Sequence, residues 1–202
     1  MIRQAWIGMW AAALLLAGSG HVQGATLAVD MVPGGALDAS LGVETGDGFD
    51  VDVLVQDVLD LAAFQFDLTF DAALLTATSV TSGDIFGLDT FPIDDSIGAG
   101  AVSVAEISLG AFGVDVPGSA LLARIHFTAL AAGVAVLDLG GSILGDSLGG
   151  PIDVLGEADG SLTIRQPPGN VPEPSVALLS LLAACGLGFR SRRGRRGTIA
   201  SR

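Results

Sequence analysis

The sequence predicts an all-β domain, an eight- or nine-stranded sandwich of jelly-roll type, on three observations. Apolar and polar residues alternate with a period of two through the most hydrophobic segments of the body, as half-buried strands require. The alternating apolar positions hold β-branched residues or phenylalanine, which suit a pleated surface. Glycine, 29 of 202 residues, punctuates these segments and spaces them at the short, regular intervals of a sandwich.

Residues 26–32 open the series. In residues 49–56, Phe49, Val51, Val53 and Val55 face one way and acids mostly the other, so a core face separates from a solvent face. Residues 64–71 repeat the pattern, with Phe64, Phe66, Leu68 and Phe70 inward, at the expected centre of the core. Further strands are expected at 74–80, 101–107, 120–129, 134–139 and 161–164. Within 120–129 the inward residues are Leu121, Ala123, Ile125 and Phe127, with Arg124, His126 and Thr128 outward. Residues 84–95, 110–118 and 139–150 read as loops. Pro167 and Pro168 make residues 165–170 an extended linker, because neither can join a central strand.

Both ends carry a different composition. Arg3 supplies a positive start, residues 5–17 an apolar core of signal-peptide length, and Val22 and Gly24 small side chains at the −3 and −1 positions. Residues 1–24 are therefore expected to be a signal peptide, cut between Gly24 and Ala25. Towards the other end, Val171-Pro172-Glu173-Pro174 precedes an uncharged apolar run, residues 175–189, and then Arg190, Arg192, Arg193, Arg195 and Arg196. The arginines would stay on the cytoplasmic side. Residues 171–196 resemble the PEP-CTERM sorting signal of Gram-negative bacteria, with residues 197–202 as a tail. The resemblance implies recognition and cleavage by an exosortase, a membrane-embedded cysteine transpeptidase-like enzyme, after transient residence in the inner membrane. The apolar run has 15 residues, short of the roughly 17 to 20 of a spanning helix; snorkelling arginines offset part of the difference. A plain, unprocessed anchor is the alternative.

Between the ends, residues 25–166 carry two arginines, no lysine and 21 acids, a formal charge of −19. That excludes nucleic acid as a partner, since phosphate binding needs a basic patch. About 140 residues suffice for one domain with a core and not for two. The single cysteine, Cys185, lies in the apolar run, so packing without a disulfide must hold the domain.

The order Val51-Asp52-Val53-Leu54-Val55, then residues 61–71, then residues 118–127, then Gly133 and a terminal strand is similar to the cohesin-type domain over residues 25–164. The resemblance implies a nine-stranded jelly-roll sandwich related to a class of cellulose-binding modules. It is carried by core positions and therefore speaks to fold before function.

Catalysis is not expected of the body, although with 21 acids spacing alone does not exclude a carboxylate pair for glycoside hydrolysis. His126 is the body's one histidine, expected as a surface strand residue, and no nucleophile-elbow motif accompanies it. No catalytic residue or cofactor is expected. For metals, the acid-rich segment with Asp89, Asp94 and Asp95 offers hard ligands for calcium, against the favoured reading of solvated charges; no EF-hand loop is present. Stacking of sugars is disfavoured, because the chain has no Tyr and both tryptophans, Trp6 and Trp10, lie in the signal peptide. Phe86, Phe91 and Phe112 are the phenylalanines in loop-like segments. The preferred reading is a non-enzymatic protein, exported across the inner membrane to the cell surface or extracellular matrix and linked to exopolysaccharide and biofilm. The alternatives are a protein-binding module for a dockerin-like partner and a polysaccharide-binding module.

Overall fold

In the computed structural model the described residues are 24–168, and they form ten strands and no helix. The strands are β1 (Gly24–Asp30), β2 (Ser40–Glu44), β3 (Gly48–Thr69), β4 (Leu75–Ser82), β5 (Thr90–Gly98), β6 (Ala101–Ser108), β7 (Val114–Ala129), β8 (Gly133–Asp146), β9 (Pro151–Ala158) and β10 (Gly160–Arg165). No helix among these residues is long and apolar enough to cross a membrane.

The two strands expected at 49–56 and 64–71 are one 22-residue strand, β3, that serves both layers of the sandwich. Its first half pairs with β1 and β7, and its second half with β6 and β8. Between the halves the pairing with β7 slips at three places, and Asp57 and Asp60 adopt φ of 53° and 56°. Aspartate tolerates this left-handed region better than most residues, and bulges of this kind bend a strand. One layer thus runs β4-β7-β3-β1-β9 and the other β5-β6-β3-β8, with β8 continuing through β10 to β2.

The core lies where the alternation placed it. Phe49, Val51, Val53, Val55, Phe64, Phe66 and Leu68 are buried. Phe127 stacks on Phe49, centroids 5.7 Å apart, and meets Phe70 edge-on at 5.2 Å. Phe86, expected in a loop away from the core, is buried against Phe64 at 5.8 Å. One acid, Glu106, points inward from β6 where the edges β4 and β5 meet. Its carboxylate accepts hydrogen bonds from Ser82 Oγ (2.7 Å) and Thr90 Oγ1, so its burial leaves neither oxygen unpaired.

Several expectations are corrected. The count is ten rather than eight or nine, because two expected strands merge and β2, β5 and β9 are added. These three have broken alternation, with Pro92 and Asp94-Asp95 in β5 and Pro151 opening β9. Neighbours, not intrinsic pattern, hold them: β2 lies parallel on β10, β9 parallel on β1, and β5 antiparallel on β6. The expected loop at 110–118 is strand from Val114, the one at 139–150 is strand to Asp146, and the one at 84–95 is strand from Thr90. In β7 the buried residue is Leu122 and not Leu121. A bulge pairs Val53 with Ala123 but Leu54 with Leu121, so Leu122 is the extra residue and the alternation changes phase. Leu122→Ala should therefore cost about 2–5 kcal/mol of unfolding free energy, and Leu121→Ala under about 1 kcal/mol. Equilibrium urea unfolding of the two variants checks this.

Candidate docking surface

The pairing of β5, β6, β3 and β8 fixes which side chains stand together on the outer surface of that layer. On β3 the outward residues are Ala63, Gln65, Asp67 and Thr69, alternating with the buried Phe64, Phe66 and Leu68. In register with them stand Ile107, Ala105, Ser103 and Ala101 on β6, and Gly145, Ile143, Gly140 and Asp138 on β8. Beyond β6, the edge strand β5 adds Phe91 beside Ile107, Asp94 beside Ala105 and Ser96 beside Ser103. One row across the sheet is therefore Phe91, Ile107, Ala63 and Gly145, and the next is Asp94, Ala105, Gln65 and Ile143.

Alanine and glycine hold five of the fifteen positions of this face, Ala63, Ala101, Ala105, Gly140 and Gly145. Phe91 and Ile143 rise from the face, 56% and 60% exposed. Seven of the fifteen residues are polar or charged, and among them the Asp67 carboxylate accepts a hydrogen bond from Ser103 Oγ at 2.5 Å. The acids Asp67, Asp94 and Asp138 meet no cation here. Among the described residues the two arginines lie elsewhere, Arg124 on the opposite layer and Arg165 at the end of β10.

The opposite outer surface is a different chemical object. Arg124 Nε and Nη2 donate to Asp52 Oδ1 and Oδ2 at 2.6 and 2.8 Å, a forked pair across β3 and β7. Asp52 is buried and Arg124 half-buried. These hydrogen bonds, then the charge of Asp52, hold the guanidinium above its ordinary pKa, with Asp50 adding a smaller attraction. Beside them His126 Nδ1 sits 2.7 Å from Asp50 Oδ1. His126 is thus the surface strand residue expected. Ser79 is opposite it on β4, but no hydrogen bond joins them. Nε2 instead lies over Gly48, where a Cβ would come within 3.0 Å. The elements of a Ser-His-Asp relay are present without its geometry. Removing the arginine charge leaves Asp52 uncompensated, so Arg124→Met should destabilise by about 1–3 kcal/mol, between the exposed and buried limits for an ion pair. Thermal unfolding measured against Asp52→Asn/Arg124→Met checks it, the double variant recovering part of the loss.

At the end where β3 turns over, Asp60 joins three segments. Its Oδ1 accepts from Gly113 N at 3.0 Å and its Oδ2 from Ser147 Oγ at 2.9 Å, while Asp60 N donates to Asp115 Oδ1 at 2.9 Å. Gly113 must be glycine, because a Cβ there would lie 2.4 Å from the Asp60 carbonyl. The Ser147 hydroxyl, opposed by partial desolvation and helped by the Gly113 and Ser147 amides, holds the Asp60 carboxyl below the usual aspartate pKa. A depressed folded pKa gives stability that is complete above the unfolded value, about 3.9, and lost as pH falls through the folded one. Asp60→Asn keeps the left-handed backbone accessible and should flatten the stability profile below about pH 4. Urea midpoints of parent and variant from pH 5 to 2 read this directly.

The calcium candidates do not converge. Asp94 and Asp95 are consecutive residues of β5, Asp89 precedes the strand, and no group of three metal-ligating side chains occurs among the described residues. Asp94 Oδ1 accepts instead from Ser96 N at 3.0 Å. Two hollows are open and small-residue or acid-lined, about 400 Å³ beside Glu44, Asp47 and Arg165 and about 240 Å³ beside Asp60, Asp146 and Asp153. Gly24 opens β1 under Leu155, and Ala25 is fully buried. Val171, Pro172, Glu173 and Pro174 and the cluster from Arg190 to Arg196 lie outside the described residues. Nothing local in the sequence marks Ala63, Ile107 and Ile143 as one surface, since their adjacency depends on register between distant strands.

The described residues thus form an all-β two-layer sandwich with one cation-free outer face. The Cohesin domain model matches residues 36–164, and the chain belongs to the cohesin domain family. No curated protein matches it in sequence. Among solved structures, the sixth cohesin of scaffoldin B from Acetivibrio cellulolyticus, in complex with a Cel5 dockerin mutant, is 18% identical with a TM-score of 0.55, covering 70% of this chain and 99% of that one. A non-cellulosomal cohesin from Archaeoglobus fulgidus is 14% identical with a TM-score of 0.54, covering 71% and 92%. The cohesin module of a family 33 glycoside hydrolase from Clostridium perfringens is 16% identical with a TM-score of 0.52, covering 72% and 99%. At these identities the likeness establishes the fold.

Proposed function

We propose that the domain is a non-catalytic protein-docking module whose β5-β6-β3-β8 face holds a dockerin-like, calcium-loaded helical partner. The observation that carries this reading is the face itself: alanine or glycine at five of its fifteen positions, acids without a cation, and Phe91 and Ile143 raised as apolar anchors. Small residues let a helix approach the sheet closely, and a few exposed apolar side chains supply most of the binding free energy. Family membership supports the same reading, as do neighbours solved in complex with dockerins. The acids Asp67, Asp94 and Asp138 favour a partner with basic residues at its rim. No tryptophan or tyrosine lies in residues 24–168, which weighs against a sugar-stacking platform.

The sequence at the two ends supports display outside the cell. Cleavage after Gly24 would leave Ala25 as the first residue, already inside β1. Recognition of Pro172-Glu173-Pro174 by an exosortase, with Arg190 to Arg196 held at the cytoplasmic side, would then sort the domain to the surface or matrix. On this reading the tail sets location and the sandwich sets the partner.

The test is calorimetric titration of the protein with a module from the same organism that carries paired Asp-rich calcium loops. Binding is expected with calcium and not with EDTA. Ile143→Asp should weaken it at least tenfold, about 1.4 kcal/mol, without changing the melting temperature. Binding that ignores both EDTA and Ile143→Asp would place the partner on another surface.

A further inference from the structure

The end of the sandwich at which β3 turns over carries a second unusual surface. Leu109 N donates to Asp89 O at 2.8 Å, joining the β6–β7 loop to the β4–β5 loop. Gly113 N and Ser147 Oγ both donate to the Asp60 carboxylate, joining the β6–β7 loop to the β8–β9 loop. Within the last of these, Asp146 Oδ1 accepts from Leu148 N and Gly150 N at 2.9 and 2.6 Å. Three loops are thus tied into one surface rather than left as separate tips. That surface presents Leu88, fully exposed, with Leu148 at 92%, Phe112 at 82% and Leu109 at 64% exposure. Large apolar side chains held in water on ordered loops return nothing to the fold, and when they cluster they mark an interaction site.

Charge identifies the occupant. Asp57 and Asp60 at the bend of β3, and Asp84, Asp89, Asp115, Asp146 and Asp153 on these loops or the strand ends beside them, surround this surface, and neither arginine of the described residues does. A second copy would set carboxylates against carboxylates, and an anionic lipid surface would be repelled in the same way. A helix with an apolar ridge flanked by lysine or arginine satisfies both features. The chain leaves towards residue 169 from the opposite end, where Thr45 N donates to Arg165 O at 2.9 Å, so the patch is turned away from the exit.

We propose that this loop end, which adjoins the sheet face beyond the row of Phe91, Ile107 and Gly145, is a second docking surface, for a cationic amphipathic helix of a partner protein. The probe is a fluorescent 18-residue Lys/Leu amphipathic peptide, with a Glu/Leu peptide of the same pattern as control. Each is titrated against the full chain in zwitterionic nanodiscs, with empty nanodiscs as background. The Lys/Leu peptide is expected to bind and the Glu/Leu peptide not to. Phe112→Ser/Leu148→Ser should weaken binding at least tenfold with the melting temperature unchanged, because both side chains are exposed. Ile143→Asp on the sheet face should leave it unaltered, which separates failure here from failure of the docking face. Absence of Lys/Leu binding, equal binding of the two peptides, or an unchanged affinity in the double variant would overturn the proposal. So would a double variant whose only defect is in self-association or adsorption to anionic vesicles.

Discussion

Strand β3 belongs to both layers of the sandwich, and the other strands take their positions from it. Its first half aligns β1 and β7 and its second half β6 and β8. The passage between the halves depends on a backbone that can bend without losing its hydrogen bonds. Asp57 and Asp60 provide this, since each takes a left-handed conformation and spends its carboxylate on a neighbouring amide, Gly118 of β7 for one and Gly113 of the β6–β7 loop for the other. Side-chain oxygens replace the ladder bonds that the bulges remove. The same carboxylates order the loops around the turn, so the bend that builds the sandwich also fixes the shape of one of its ends.

From that constraint the two outer faces acquire opposite characters. On the β4-β7-β3-β1-β9 layer the charged residues pair with each other, Asp52 with Arg124 and Asp50 with His126. Such a surface is self-sufficient. On the β5-β6-β3-β8 layer the acids have no cation to meet, and alanine and glycine keep the backbone near the surface. This asymmetry is what favours the second face for docking, because desolvating it breaks no internal ion pair.

The fold class and most of the core were legible in the sequence because they rest on local alternation. Phe49 through Val55 and Phe64 through Leu68 are buried as the period of two requires. What escaped was non-local. The change of phase at Leu122 follows from a bulge against β3, and β2, β5 and β9 are strands only because β10, β6 and β1 offer them edges. The candidate face escaped for the same reason: Ile107 and Ile143 flank β3 from strands far apart in the chain, and no sequence window contains both. The segment 84–95 was expected as an acid-rich loop, whereas the strand that begins at Thr90 places Asp94 and Asp95 along an edge.

The most direct test is a hydrogen-exchange footprint of the protein alone and with a calcium-loaded dockerin-like module from the same organism. Docking on the proposed face should slow exchange in β5, β6, the second half of β3 and β8, with β4, β7 and β1 unchanged. Protection confined to the layer carrying Asp52 and Arg124, or no protection anywhere in the domain, would contradict it.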